Sequence, residues 1–381
     1  MTKILHTADL HLKKVHDERW KALEQIIDTG EKEDIDLLVI TGDLFESDIY
    51  ADRLRSNLRQ VFCDLDFETV IIPGNHDRYS FQEGMFFGEN VTVINDIEKP
   101  FYEPGGLNLI ICGIPYEPLK RKEVYRRLRV FDNSIQDKNK HQILLYHGDL
   151  LDLSIRTTDY GEEVEMTEEG YMPVRLSYFR NLNFDYVLAG HFHTNFYCKN
   201  IKQDKYFVYS GSPVSITSKE KGQRSINLVV LGEQPKQLYL DSYHKKEVDL
   251  ELDPVSDTSL ETVFSKLHNI LDNTHYNADL TLNISGYFNQ SELEVSEEQL
   301  YERLCKTLED SKSKSNIVDY QVNFQIKDMK EIIENELFQK FIQELEEDEL
   351  VNSNIYLKSM TKEEKKKALR NIFFQAMSGV E

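Results

Sequence analysis

Residues 36–43 read Asp36-Leu37-Leu38-Val39-Ile40-Thr41-Gly42-Asp43, and their reading decides the fold. The run 36–40, apolar from Leu37 onward, predicts a strand buried on both faces, because no alternation leaves a polar side for water. It stops at Thr41-Gly42, where glycine lets the backbone turn sharply, and so delivers the carboxylate of Asp43 just past the strand's C-terminal end. The same pattern repeats outward along the chain. Upstream, 3–6 reads as a strand running into Asp9 and His11. Downstream, 69–72 ends at Pro73-Gly74-Asn75-His76-Asp77, 143–146 at His147-Gly148, and 186–188 at Gly190-His191-Phe192-His193, with another strand at 109–113. Residues 20–33 place Ala22, Leu23, Ile26 and Ile27 at helical spacing. Apolar strands mixed with helices predict an α/β layered domain. Such sheets bind their ligands beyond the C-terminal ends of the strands, which is where every polar residue just quoted falls.

After Gly211 the pattern changes to hairpin-like strands at 225–231 and 237–240. From about residue 243 a different unit begins: helix 260–271, strand 279–285, helix 297–308, a charged loop 311–315 and strand 320–326, a small α+β domain. Beyond it the chain reads as helices 329–345 and 361–377, with the acidic run Glu346, Glu347, Asp348, Glu349 between them. The last helix aligns Leu369, Ile372, Phe373 and Ala376 in a narrow apolar stripe, suited to its own chain or to a partner helix. Domains are therefore expected at 1–242, 243–326 and 327–381.

At 381 residues, 40% hydrophobic and 29% charged, the composition is that of a globular protein of more than one domain. No apolar run approaches the roughly 20 residues that span a bilayer, so no membrane segment is expected. Cys63, Cys112, Cys198 and Cys305 are scattered without a CxxC pair, which disfavours a zinc ribbon and suits a reducing, cytoplasmic setting. The net charge of −22 opposes binding to phosphate backbones, which relies on Lys and Arg. A nucleic-acid partner would need a local basic patch or a second subunit. One patch exists, Lys120, Arg121, Lys122, Arg126, Arg127 and Arg129, which reads equally as a solvated helix face.

The strand-end residues carry the chemistry. Asp9, His11, Asp43, Asn75, His147, His191 and His193 offer carboxylates, an amide oxygen and imidazoles without thiolates. That donor set suits two divalent ions of the manganese or iron type better than structural zinc. One carboxylate must then bridge, and Asp43, on a central strand, is best placed. Each piece alone is weak, since an isolated strand-end histidine is usually structural. Five pieces in order, at strand ends, are specific. His16, His141, His244, His268 and His275 lie outside them and read as surface or structural, and His6 as packing within the first strand.

Taken together, Asp9-Leu10-His11, Gly42-Asp43, Gly74-Asn75-His76-Asp77, His147-Gly148 and Gly190-His191-Phe192-His193 resemble the calcineurin-like metallophosphoesterase superfamily. The resemblance implies a layered sheet sandwich flanked by helices, with one metal held by Asp9, His11, Asp43 and His193. The other metal would be held by Asp43, Asn75, His147 and His191. Two Mn2+ ions, or Mg2+ or Fe2+, would activate a water for in-line displacement. His76 matches the family's histidine that contacts the scissile phosphate and protonates the leaving oxygen.

Within the superfamily, His6-Thr7-Ala8-Asp9-Leu10-His11-Leu12, Thr41-Gly42-Asp43-Leu44-Phe45 and Tyr209-Ser210-Gly211-Ser212-Pro213 look like the SbcD-type DNA repair nucleases. That likeness covers roughly residues 1–240. It implies a DNA substrate, homodimers, a small capping domain, and terminal helices that bind an SMC-like coiled-coil ATPase. Exonuclease and endonuclease activity both stay open, as does a role in repair or in defence against foreign DNA. One residue departs from the branch. Three positions after the bridging aspartate it usually carries histidine, where this chain has Glu46. In phosphatases of the superfamily a carboxylate there holds the catalytic histidine, so Glu46 is expected to pair with His76 and keep it protonated. Glu46 and the acidic surface favour the alternative reading, a phosphatase or cyclic-nucleotide phosphodiesterase. A non-catalytic scaffold leaves the complete ligand set without a use.

Overall fold

In strand order the first unit runs β1 (Lys3–Thr7), β2 (Leu37–Thr41), β3 (Glu68–Ile72), β4 (Val91–Val93), β5 (Phe101–Tyr102) and β6 (Leu109–Ile114). It continues with β7 (His141–His147), β8 (Tyr186–Gly190), β9 (Tyr197–Lys202), β10 (Lys205–Tyr209), β11 (Ser225–Val230) and β12 (Lys236–Tyr239). The structure is a computed structural model and describes residues 1–82, 85–153, 170–194, 196–329, 332, 335–346 and 361–377. Two compact units divide the chain, Met1–Lys246 and Glu247–Glu381.

Two six-stranded sheets build the first unit, in the orders β12-β11-β1-β2-β3-β4 and β5-β6-β7-β8-β10-β9. β1 to β4 are parallel, as are β6, β7, β8 and β10; the outer pairings β1–β11, β11–β12, β5–β6 and β9–β10 are antiparallel. The inner faces meet in one apolar core of Ile4, Val39 and Ile72 with Ile111, Leu145 and Leu188. Leu38, Ile40 and Ile71 on the outer face of the first sheet pack with Trp20, Leu23 and Ile26 of helix Glu18–Glu33. Leu54, Leu58 and Phe62 of helix Asp48–Cys63 join the same layer. Leu144, Tyr146 and Val187 on the second sheet take Val124, Leu128 and Phe131 of helix Arg121–Ser134. The result is a helix–sheet–sheet–helix sandwich, the α/β layered class read from the apolar strands. Helix Asp48–Cys63 was not among the predicted elements, although Ala51, Leu54, Leu58 and Phe62 carry its periodicity.

His6 lies in β1, fully buried, with Nε2 2.9 Å from Thr41 Oγ1 and Nδ1 3.3 Å from Asn227 Nδ2. It is a packing residue, and burial pushes its pKa down to about 3. The unfolded chain binds this proton near pH 6.5 and the folded chain does not. Stability is therefore full above that pH and falls as pH drops toward 3, by up to ~1.4 kcal/mol per pH unit. Chemical denaturation of wild type and His6→Gln at pH 6 and pH 4 tests this. The variant loses part of the slope, and equal slopes would refute the assignment.

In the second unit β13 (His244–Leu252), β14 (Ala278–Phe288) and β15 (Asp319–Asp328) form one sheet with β14 central and parallel to β15. Helices Leu260–Asp272 and Glu297–Ser313 cover one face through Val263, Leu267, Leu300 and Leu304. Two expectations are corrected. β13 was not predicted, although Leu250 and Leu252 alternate with Glu247, Asp249 and Glu251, a half-buried strand pattern. The expected loop 311–315 is entered by helix to Ser313, because Leu304, Leu308 and Ser311 continue its buried stripe.

Helices Glu336–Glu346 and Lys362–Met377 belong to this unit. Phe374 is fully buried, stacks on Phe338 at 5.2 Å and packs at a tilt against Tyr287 at 4.9 Å, while Arg370 pairs with Asp253 at 2.5 Å. The buried anchor of the last helix within this unit is thus Phe374, next to the expected stripe. Phe373 contacts Phe341 at 4.6 Å, whereas Ile372 is 58% exposed and Ala376 is exposed. Glu347, Asp348 and Glu349 of the acidic run lie outside the described residues.

Candidate metal centre

The loops that follow β1 and β2 run side by side, tied by Asp9 N–H to Gly42 O at 3.1 Å and His11 N–H to Asp43 O at 2.9 Å. Asp9, His11 and Asp43 have φ of 56°, 51° and 52°, and His191 has 96°. Left-handed backbone at non-glycine residues costs about 1–3 kcal/mol each and persists where surroundings over-determine it. Here it turns four polar side chains toward one point. Glycine is required at two places: a Cβ on Gly74 would lie 2.1 Å from Asp43 Oδ1, and one on Gly42 2.1 Å from the His147 ring.

Asp9, His11, Asp43 and His193 present ligand atoms within 4.8 Å of one another. His11 Nε2 and His193 Nε2 are 3.3 Å apart, and His193 Nε2 is 3.7 Å from Asp9 Oδ1. On the other side, Asn75 Oδ1 lies 2.9 Å from His147 Nε2 and 3.1 Å from His191 Nδ1. Asp43 joins the two groups. Its Oδ2 is buried and makes no hydrogen bond, yet stands 3.3 Å from His147 Nε2 and 3.7 Å from His11 Nε2. A buried carboxylate oxygen without a donor, ringed by imidazole nitrogens, fits a cation between them. All seven sequence-read ligand residues therefore lie together, around Asp43.

Electrostatics follow the same map. Burial opposes charge on His147, but Asp43 beside it prevails and raises its pKa to about 9. Burial likewise opposes charge on His193, which Asp9 and Glu220 raise. Against its own burial, Asp43 is held well below the carboxylate range by His147 and His11. Cations must displace these protons to bind.

Supporting residues appear that sequence reading missed. Glu220, 2% exposed, lies 3.2 Å from His193 Nδ1 and accepts from Ile216 N–H at 2.6 Å. Asp149 Oδ1 is 3.2 Å from His191 Nε2. Asp77 accepts from Gly74 N–H at 2.7 Å and Phe45 N–H at 3.2 Å, pinning the two ligand loops together. Asp149 and Asp77 adjoin the motifs and were legible there. Glu220, between Lys219 and Lys221, had no local signal.

His76 is exposed at the rim, its backbone N–H donating to Asp43 Oδ1 at 2.9 Å and its ring 4.7 Å from His11. The expected pairing with the Glu46 carboxylate is corrected. His76 Nδ1 meets the backbone oxygen of Glu46 at 3.1 Å, while the carboxylate points away. Its Oε2 takes Arg19 Nη1 at 2.7 Å and lies 3.4 Å from His11 Nδ1, and Lys13 Nζ is 3.2 Å from Oε1. Two cations on neighbouring loop and helix, Lys13 and Arg19, outcompete the rim imidazole. They hold Glu46 well below the usual carboxylate range against the opposing effect of burial.

The basic residues occupy helix Arg121–Ser134 and its cap. Lys120, Lys122, Arg126 and Arg129 are exposed, Arg121 is half-buried, and Arg127 pairs with Glu117 at 2.8 Å. Val124 and Leu128 face inward. Tyr116, just upstream, lies 5.9 Å from Tyr171, whose ring is 4.7 Å from His191.

Residues 2–195 match the family described as calcineurin-like phosphoesterase. The chain is 30% identical over 253 residues to SbcD of the nuclease SbcCD from Staphylococcus epidermidis, covering 58% of this chain and 63% of that relative's length. Among solved structures, a dimetal phosphatase from Danio rerio is similar at 10% identity, covering 62% of this chain and 98% of that one, with a TM-score of 0.42. A purple acid phosphatase from yellow lupin (Lupinus luteus) seeds is similar at 15% identity, covering 60% and 48%, with a TM-score of 0.39.

Proposed function

Because the chain belongs to the calcineurin-like phosphoesterase family, we propose that it is a two-metal, Mn2+-dependent phosphodiesterase that cuts DNA as the nuclease subunit of an SbcCD-like complex. The observation that carries the reading is the pair of ligand groups sharing Asp43 Oδ2, Asp9–His11–His193 on one side and Asn75–His147–His191 on the other. DNA as substrate rests on the likeness to a protein named as part of a nuclease. Its name also points to a partner protein. An ATPase would dock on the C-terminal helices, where Ile372 and Leu337 are 58% exposed, and bring the positive charge that a chain of net −22 lacks. Homodimers and a cytoplasmic location follow the same likeness; among the described residues no helix is long and apolar enough to cross a membrane.

When bound, two divalent ions supply an activated water and neutralise charge on the phosphoryl oxygens. The chain's own residues do the rest. Asp43 holds both halves of the site in register. Thr41 O, 2.8 Å from His147 Nδ1, fixes that ring with Nε2 inward. His76, with Nδ1 on Glu46 O, keeps Nε2 toward the rim, where a proton on it serves the departing oxygen.

Mn2+-dependent cleavage of end-labelled duplex and single-stranded DNA by the full chain, beside hydrolysis of a p-nitrophenyl phosphodiester, tests the proposal. DNA cleavage supports it. An ester hydrolysed while DNA stays intact, with and without an ATPase partner, moves the phosphatase or cyclic-nucleotide reading ahead. The exposed arginines and lysines of helix Arg121–Ser134 are assigned to the DNA backbone. Lys122→Glu with Arg126→Glu weakens DNA binding and reduces its salt slope by about 1 per lost phosphate contact, and leaves ester hydrolysis intact. An unchanged salt slope returns this helix to a plain solvated face.

A further inference from the structure

Four imidazoles make up the two groups that meet at Asp43, and the nitrogens turned away from the shared centre meet different partners. Behind His193 stands the Glu220 carboxylate, 3.2 Å from Nδ1. Behind His11 stands Glu46: the buried Nδ1 makes no hydrogen bond, and Glu46 Oε2, 3.4 Å away, is the acceptor placed to take one. Behind His147 there is only a peptide carbonyl, Thr41 O at 2.8 Å. His191 has Asp149 at 3.2 Å. A carboxylate behind a ligating imidazole fixes its tautomer and raises its basicity. Ligand charge adds to the difference. Asp9 and Asp43 both serve the first group, while Asn75 in the second is neutral.

We infer that Glu46 is a positioning residue for His11 and, with Glu220, makes the Asp9–His11–Asp43–His193 group the tighter of two unequal metal subsites. This deepens the two-metal reading and rests on it. Arg19 holds the Glu46 carboxylate at 2.7 Å and also donates to the His11 carbonyl oxygen, so one guanidinium locks both ends of the contact. Arg19 and Lys13 offset part of the charge on Glu46. Its contribution is therefore chiefly the orientation of His11, with Nε2 facing Asp43 Oδ2 and His193.

The test is Mn2+ titration of the metal-free full chain, followed by calorimetry and electron paramagnetic resonance, with no DNA present. The wild type takes Mn2+ in two steps, an isolated-ion spectrum first and a spin-coupled pair second. Glu46→Ala weakens the first step roughly 10–100-fold and leaves the second unchanged. Glu46→Gln, whose amide oxygen still accepts from Nδ1, keeps most of the affinity, while Glu46→Asp, still charged but too short to reach Nδ1, behaves like Glu46→Ala. Glu46 is 28% exposed at its side chain, so the fold tolerates these changes, and thermal unfolding of the metal-free variants checks that. Glu220→Gln gives the same first-step loss from the opposite side. Indistinguishable steps in the wild type, or an unchanged first step in Glu46→Ala, overturn the inference and leave the nuclease proposal standing. A chain that binds no Mn2+ overturns both, whereas failure to cut DNA alone touches only the proposed function.

Discussion

Replacing His76 by alanine lowers the rate of DNA cleavage by about 10²–10⁴-fold while Mn2+ binding is retained. The ring is exposed and touches the ligand set only at its edge, 4.7 Å from the centroid of His11. Its backbone N–H to Asp43 Oδ1, 2.9 Å, survives the substitution, so the Asp43 carboxylate keeps its place. What is lost is a proton donor held by Glu46 O at 3.1 Å. A second substrate separates that loss from a general disturbance. A p-nitrophenolate leaving group needs no proton, so the variant's defect is much smaller on the nitrophenyl diester than on DNA. Single-turnover rates on both substrates at saturating Mn2+ decide the matter. Equal defects, or a defect that tracks weakened Mn2+ binding, remove His76 from the acid role.

Asp43→Asn has the larger effect, because it strikes both halves of the site at once. Asp43 Oδ2 is within 3.3 Å of His147 Nε2 and 3.7 Å of His11 Nε2, and no other carboxylate among the described residues reaches both. Asparagine is nearly isosteric, so Gly74 and the His76 N–H still find their contacts, but the charge between the ions is gone. Metal ions stabilise charge in such transition states by several kcal/mol, at ~1.4 kcal/mol per factor of ten. A loss of at least roughly 10³-fold in cleavage follows, together with weakened Mn2+ binding at both steps. His147, raised to about 9 chiefly by Asp43 against its burial, then titrates at lower pH in the metal-free chain. Mn2+ titration and nuclear magnetic resonance of the His147 ring check the two consequences. A variant that still binds two ions with wild-type affinity rules out Asp43 as the bridge.

Most of the first unit was legible because its strands are buried on both faces. Residues 36–40 have no polar alternation, and the strand observed there, Leu37–Thr41, is buried at every position. Short edge strands such as Phe101–Tyr102 were not legible, since two half-exposed residues carry no periodicity. Strand His244–Leu252 was hidden by its charge. Its exposed positions are acidic or basic, and only Leu250 and Leu252 alternate with them as buried residues. The last helix was recognised as a helix, but Phe374, beside the expected stripe, is what found an aromatic partner in Phe338, while Ile372 and Ala376 of the stripe are exposed.

By itself the sequence determined the layered α/β class and singled out the seven polar residues that the fold gathers around Asp43. Both follow from short-range rules: an apolar run must be buried, and a glycine-flanked polar residue at its end must emerge at the sheet's carboxyl edge. Tertiary structure alone decided which partner each of those residues faces. Glu46 turned to Arg19 and His11 and away from His76, and Glu220, 27 positions from His193, came to stand behind its ring. Side-chain direction in a loop is set by competition among charges brought near by folding, and no local pattern records which charge is closest.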